Sequence, residues 1–436
     1  MRAVGALVAS LALFAGAAQA VNFPDLSGVD PSEALPVTTS KKTLSVPFKS
    51  VLRAGAGSAS LSATSQAQAL FVTVQVGTPP VDVNVLLDTG SPTFWINSAL
   101  CKTAGCSKTV GKYNPSSSST ASLSTSVLQR KYGDGTSVTC SIYNDNLSIA
   151  GVSIPKQPVC VATALDFPNT SGLEGLIGLG PPHQTDPAEV FSYMRSSFPE
   201  SKVSFYYNRQ VAAVEKGVIL DNAGEVTFGV PNAARYTGSF NWLPIDPTAD
   251  HWTVPFTATK VDGSSVRPTS AAIVDTGTTL VYLDSVSFAL VNSKMRGLNA
   301  GGVYQVDCAN VKSFPPITFT LGGVDFTLTW DKQFFVLKNQ YCISIFSTIP
   351  GFPTLFGAGF IRQFYTSFDY ANSTIGFAKL AGDDPTINIP GVGPSGGSGG
   401  SGGSGKNSAT GMIAGGSIAA AMAGTAFSVF AGAFTL

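Results

Sequence analysis

The stretch Val83-Asn84-Val85-Leu86-Leu87-Asp88-Thr89-Gly90-Ser91 decides how this chain folds. Apolar residues, broken by one polar residue, lead to an aspartate that Thr-Gly-Ser follows at once. Such a run reads as a strand with one buried face, and the small residues after it supply turn chemistry. The phrase returns as Ala272-Ile273-Val274-Asp275-Thr276-Gly277-Thr278, 187 residues later. Each copy has a downstream echo. Leu176-Ile177-Gly178 ends 90 residues after Asp88, and Leu355-Phe356-Gly357 ends 82 residues after Asp275. One Asp-Thr-Gly is an ordinary turn. Two copies, each with its own glycine segment at a similar interval, describe a repeat the size of a lobe, with each lobe delivering one carboxylate.

The residues before Val83 read as its partner strand. From Leu70, Val72, Val74 and Val76 alternate with Phe71, Thr73 and Gln75, and Gly77-Thr78-Pro79-Pro80 turns the chain. Val81, Val83, Val85 and Leu87 then alternate against Asp82 and Asn84, which predicts a β-hairpin ending at Asp88. Strand-rich sequence with frequent turns continues to about Leu380. Helices are few. Asp186-Pro187-Ala188-Glu189 combines a capping residue with proline at the first helical position and predicts a helix to Phe198. Asp284 is placed to cap another through Met295. The fold expected is mainly β, in two lobes joined between Asn208 and Glu225.

Charged residues make up 12% of the chain against a usual quarter, and 26 basic side chains balance 26 acidic ones. Nothing in that balance points to nucleic acid or an anionic membrane surface. The two histidines, His183 and His251, stand far apart and outside any ligand-spaced cluster. That argues against a metal centre and against a Ser-His-Asp triad. Both read as surface or loop residues, and neither a metal nor a cofactor is expected.

From about Leu70 to Leu380 the chain resembles the pepsin-like aspartic proteases. Besides the paired motifs, Lys131-Tyr132-Gly133-Asp134-Gly135-Thr136 looks like that family's flap, with its tyrosine at Tyr132. Tyr236-Thr237-Gly238-Ser239-Phe240-Asn241-Trp242 looks like the opening of its second lobe. Phe360-Ile361-Arg362 and Phe368-Asp369-Tyr370 through Ile375-Gly376-Phe377-Ala378 look like its closing segments. The resemblance implies a bilobal fold of two related β lobes with the active-site cleft between them. It makes Asp88 and Asp275 the catalytic pair, with Thr89 and Thr276 bracing their loops. Gly90 and Gly277 would leave room beside the carboxylates, and Ser91 and Thr278 would touch their outer oxygens. Tyr132 with Gly133 would close over substrate, and Trp95 matches its hydrogen-bond partner; an aromatic packed in the core is the plainer reading of both. Asp134 is either a reader of basic substrate side chains or a turn-forming residue before glycine. Two positions depart from the family pattern: Pro92 stands where a small polar residue is usual, and Gly357-Ala358 replaces Gly-Asp.

Six cysteines fit an oxidising compartment. Cys101–Cys106 and Cys308–Cys342 match disulfides common in the family. Cys140 and Cys160 remain, either as a third bridge or as buried thiols. Asn146, Asn169 and Asn372 open glycan acceptor triplets, of which one or two are expected to be used.

The ends differ in composition from the centre. Residues 1–20 read as a signal peptide, with Arg2, an apolar stretch and Ala18-Gln19-Ala20. Residues 21–65 form a propeptide-like segment in which Val46 to Arg53 resembles a basic first propeptide strand, able to occupy an acidic cleft until its carboxylates protonate. A plain spacer is the alternative. The lobes are expected at 66–215 and 216–382. A Gly/Ser-rich linker follows at 383–406, with no core to bury. Residues 407–436 carry no charge. Small residues at Asn407-Ser408-Ala409 before the apolar Ser417–Leu436 match a glycolipid (GPI) anchor signal with attachment at Asn407; a retained transmembrane helix is the competing reading. Together these features resemble the surface-anchored fungal members of the family. The function expected is a secreted, membrane-anchored, monomeric aspartic endopeptidase cutting peptides or proteins at acidic pH. The alternatives are a non-catalytic binder of peptides or cell-wall polymers and a structural wall protein.

Overall fold

The computed structural model describes residues 44–52 and 68–382, apart from 107–112, 134, 150–151, 167–173, 183–185, 191–197, 209–218, 300–301, 303 and 337–341. All of these belong to one unit, 41–436. In chain order the first strands are β1 (Leu44–Leu52), β2 (Gln68–Val76), β3 (Val81–Asp88), β4 (Trp95–Ile96) and β5 (Ser122–Lys131). Then come β6 (Ser137–Ile149), β7 (Val152–Asp166), β8 (Gly175–Gly178), β9 (Lys202–Tyr207), β10 (Ile219–Phe228) and β11 (Tyr236–Pro244). The second part of the chain opens with β12 (Thr253–Val254), β13 (Phe256–Val261), β14 (Ser264–Val266), β15 (Ala272–Val274) and β16 (Val281–Tyr282). It continues with helix α1 (Ser285–Met295), β17 (Leu298–Asn299), β18 (Tyr304–Val306), β19 (Ile317–Leu321), β20 (Val324–Leu328), β21 (Phe334–Val336), β22 (Cys342–Ser344) and β23 (Phe346–Ser347). It closes with β24 (Thr354–Phe356), the short α2 (Ala358–Ile361), β25 (Tyr365–Asp369) and β26 (Thr374–Leu380). The protein is mainly β.

The hairpin that the sequence announces is there. Phe71 pairs with Leu86 and Val76 with Val81. Val72, Val74 and Val76 are buried, while Thr73 and Gln75 face out and bond across the strands to Asn84 and Asp82. Phe71 is buried too, on the opposite face, in a second core with Leu86, Trp95, Tyr132 and Leu176. β3 then pairs in parallel with β8, setting Asp88 opposite Gly178. β15 does the same with β24, setting Val274 opposite Phe356 just before Asp275 and Gly357. The echo glycines now have a physical reason. A Cβ on Gly178 would strike the backbone of Pro92 and Thr93, and one on Gly357 would strike the carbonyls of Thr278 and Leu280. In each half the motif loop lies directly on its glycine.

Thirteen strands form one sheet, in the order β11-β26-β25-β9-β10-β1-β2-β3-β8-β4-β7-β6-β5. The last strands of the chain thus join the sheet of the first half through β25 and β9, where Phe368 pairs with Val203. Among the described residues of the second half there are three smaller sheets: β12-β15-β24-β16-β23, β14-β13-β19-β20 and β17-β18-β22-β21. β1, expected as a basic segment able to occupy the cleft, has its backbone between β10 and β2 within the large sheet.

α1 forms as expected. Asp284 accepts from the N–H groups of Val286 and Ser287, a cap worth about 1 kcal/mol. Phe288, Val291 and Met295 lie on its buried face, and Arg296 ends it in the left-handed region. At Asp186 the carboxylate caps a turn by accepting from Ala188 N–H; the rest of the helix expected to Phe198 lies largely outside the described residues. All three disulfides form, Cys140–Cys160 included. Closing loops of 20 and 34 residues stabilises by about 3–4 kcal/mol each.

Candidate active site

Asp88 ends β3 and Asp275 directly follows β15, and both are 0% exposed. Their loops are built alike. Gly90 N–H donates to Asp88 Oδ1 at 2.9 Å and Gly277 N–H to Asp275 Oδ1 at 2.7 Å. Ser91 Oγ and Thr278 Oγ1 donate to the outer oxygens, each at 2.5 Å. Between the halves the threonines interlock. Thr89 N–H donates to Thr276 Oγ1 and Thr276 N–H to Thr89 Oγ1, both at 3.0 Å. Each hydroxyl in turn donates a hydrogen bond across, Thr89 to Val274 O and Thr276 to Leu87 O. The N–H groups and hydroxyls of both threonines are thereby paired within the protein.

The glycines of the motifs are required by the other half. A Cβ on Gly90 would sit 2.7 Å from Asp275 Cγ, and one on Gly277 would collide with Asp88 Oδ1. The two carboxyls therefore lie together over a floor of backbone. Burial pushes the Asp88 carboxyl well above the usual range, and the negative charge of Asp275 and a hydrogen bond to it push the same way. Ser91 and Gly90 oppose the shift by donating to the charged form. Like charges this close oppose each other, which disfavours ionising both carboxyls at once.

Tyr132 lies beneath the tip of the β5–β6 hairpin. Its N–H donates to Thr136 O, and its carbonyl accepts from Gly135 N–H. Its side chain is fully buried in the second core beside Trp95, a placement compatible with both the packed-aromatic and the flap reading of the two residues. It is also close enough to Asp88 for that charge to act on it. Burial raises the phenol well above its usual value, Asp88 raises it further, and a hydrogen-bonding influence of Trp95 works the other way. The phenol stays a neutral donor. Gly133 sits half-buried at the same tip; Asp134 lies outside the described residues.

A cluster beside the site was not visible in the sequence, although Asp186 was read there as a capping residue. Arg130, two residues before Tyr132, pairs with Asp186 at 2.6 Å, and its Nε donates to Thr93 Oγ1 at 3.0 Å. Thr93 Oγ1 in turn donates to Asp186. These residues come from a strand, a loop and a turn up to 93 residues apart, with no local pattern to join them. Of the histidines, His251 lies half-buried in a bend beside Trp252, and His183 is outside the described residues.

A buried, mirrored carboxyl pair on interlocked turns is an arrangement suited to aspartic-type hydrolysis. The family model for eukaryotic aspartyl proteases matches residues 69–380. Among curated relatives, the vacuolar aspartic protease of Candida albicans is 31% identical over 349 residues, 76% of this chain and 80% of that one. Rhizopuspepsin-1 of Rhizopus niveus is 30% identical, over 71% and 78% of the two chains. Cathepsin E of Aquarana catesbeiana is 28% identical, over 73% and 81%. The chain belongs to the eukaryotic aspartyl protease family, with its bilobal pepsin-like fold, and is an aspartic-type endopeptidase, a hydrolase of peptide and protein substrates.

Proposed function

We propose that Asp88 and Asp275 are the catalytic dyad and that the enzyme works at acidic pH. In this reading one carboxyl, ionised, takes a proton from water while the other, protonated, donates to the substrate carbonyl. Water adds to the carbonyl carbon, the tetrahedral species collapses, and the amine leaves with a proton; no bond to the enzyme forms. Ser91 and Thr278 keep the outer oxygens engaged, and Thr89 and Thr276 fix the spacing. Tyr132, Gly133 and Asp134 belong to the flap over the substrate, with Trp95 behind it. The single observation that carries this reading is the carboxyl pair itself, each acid backed by its own loop and facing the other lobe's glycine. That pairing and the family membership favour catalysis over a non-catalytic binding or structural role. Digestion of a peptide library at about pH 3–6, with and without pepstatin, tests it. Asp88→Asn and Asp275→Asn are expected to lower turnover by about a thousandfold or more while the protein still folds. Residual activity above a few per cent (roughly a hundredfold loss at most) in either variant rejects the dyad.

We further infer a secreted, surface-anchored enzyme in the manner of the fungal GPI-linked members, monomeric, with lobes at 66–215 and 216–382 and a stalk at 383–406. The support is compositional: a signal-like 1–20, a Gly/Ser stalk, and an uncharged 407–436 with small residues at Asn407. These segments lie outside the described residues; among the described residues no helix is long and apolar enough to cross a membrane. For glycans, Asn372 is the better presented acceptor, exposed in the turn between β25 and β26, whereas Asn146 is half-buried in β6 and Asn169 lies outside the described residues. Release of the protein from cells by phosphatidylinositol-specific phospholipase is the expected outcome. Mass spectrometry that finds residues 417–436 in the mature protein overturns the anchor.

A further inference from the structure

The backbone of Leu179 connects the two halves of the site in a way that the paired motifs do not. Its N–H donates to the backbone carbonyl of Asp88 at 2.7 Å. Its carbonyl receives two side-chain donors from the second half of the chain. Trp252 Nε1–H donates at 2.9 Å and the Tyr370 hydroxyl at 2.7 Å. The two rings meet edge-on, 5.0 Å between centroids, and both are buried. Trp252 also reaches the other acid. Its carbonyl accepts from Val274 N–H at 2.9 Å, and Val274 precedes Asp275. One unbroken hydrogen-bonded path thus runs from Asp88 O through Leu179 and Trp252 to the strand that carries Asp275. Tyr370 closes onto its midpoint from the turn after β25. Burial, with the charge of Glu189 adding to it, pushes the Tyr370 phenol well up, so it remains a donor at every working pH.

We propose that Trp252 and Tyr370 are positioning residues, which by sharing the Leu179 carbonyl fix the separation of Asp88 and Asp275. The inference rests on the dyad reading above. A carbonyl oxygen has two lone pairs, so either donor alone keeps it satisfied, whereas loss of both strands a buried acceptor between the lobes. The separation of the carboxyls sets how far their titrations split. Looser lobes should bring the two apparent pKa values together and lower the fraction of enzyme holding one proton. The titratable or charged groups acting here besides the dyad are Tyr132 from the β5–β6 hairpin, Tyr207 from β9 with Arg362 behind it, and Glu189 beside Tyr370.

The test compares Tyr370→Phe, Trp252→Phe and the double variant in the full ectodomain, reading kcat, KM and the pH dependence of kcat/KM on one peptide substrate. Each single change is expected to lower kcat about threefold with KM within twofold. The double should lose about a hundredfold, more than the product of the singles, since an unpaired buried group costs 1–3 kcal/mol and 1.36 kcal/mol is a factor of ten. Its pH bell should narrow by about half a unit. Simple multiplication of the single effects with an unchanged bell width overturns the proposal, because core aromatics acting only through stability would give that result. If the double variant does not fold, the singles decide: a fall in kcat at constant KM supports it, and unchanged kcat or a rise in KM alone overturns it. Wild-type enzyme inactive on acid-pH substrates would instead defeat the dyad reading, so the two failures are distinct.

Discussion

Asp88 carries a direction of pH dependence that reaches beyond catalysis. An acid whose folded pKa is raised binds its proton more tightly folded than unfolded. The folded state is therefore favoured in acid, and that contribution is lost as pH climbs from the unfolded value, about 3.9, through the raised folded one. Replacing the carboxyl by an amide removes this liability. Asp88→Asn should match wild type in thermal stability near pH 3 and exceed it near neutrality, provided the amide keeps the Gly90 and Ser91 bonds. A scanning calorimetry series from about pH 3 to about pH 7 checks it. A variant less stable than wild type at neutral pH would show that the carboxyl is not under strain from Asp275 and burial. Opposite behaviour is built in at Glu225. Burial alone would raise its carboxyl, but Arg235, Asn232 and Thr227 together bring it below its usual range, so its contribution is present above about pH 4.3 and fades in acid.

At the scale of elements, the β5 strand is tied to the site floor by the Arg130–Asp186–Thr93 cluster. The Asp186 side chain is wholly buried, while Arg130 keeps a quarter of its surface. Breaking the pair from the two ends should therefore cost different amounts. Arg130→Met leaves a buried carboxylate with only Thr93 and the Ala188 N–H, and we expect a loss of about 3 kcal/mol. Asp186→Asn leaves a cation that can turn toward water and keeps the cap on the turn, and we expect about 1 kcal/mol. Urea unfolding of both variants gives the comparison; equal losses would mean that the ion pair is not the tie. The same cluster lies near Tyr132, whose phenol feels both charges. Fraying of β5 should therefore also raise KM.

On the scale of the whole molecule, the large sheet runs through both halves. β9 of the first half lies between β10 and β25, and one hydrophobic core contains Val72 and Phe377 alike. The proposed boundary near residue 215 thus cuts a chain segment rather than a set of contacts. Residues 66–215 alone would lose the neighbours of β9 on both sides, the Thr89–Thr276 brace and the donors to Leu179. That fragment is expected to lack fixed tertiary packing, seen as a collapsed near-ultraviolet circular dichroism signal. A native-like signal from it would show that the first lobe folds alone.

The sequence by itself determined whatever is local or repeated. Alternation announced the β2–β3 hairpin and its end at Asp88, Asp284 announced α1, and the two Asp-Thr-Gly motifs with their echo glycines marked the candidate site. Those motifs were legible because a small-residue turn after a strand has few chemical solutions. Tertiary structure decided what depends on residues far apart in the chain. Nothing near Arg130 names Asp186, and nothing near Leu179 names Trp252 or Tyr370, because a side-chain donor finds its carbonyl only after the sheets have packed. The place of β1 between β10 and β2 was hidden for the same reason: strand pairing joins backbone to backbone, and backbone carries no sequence label. Tyr132 marks the border between the two. Its setting among glycines told of a hairpin tip, but only packing put its ring in the core and within reach of the charge on Asp88.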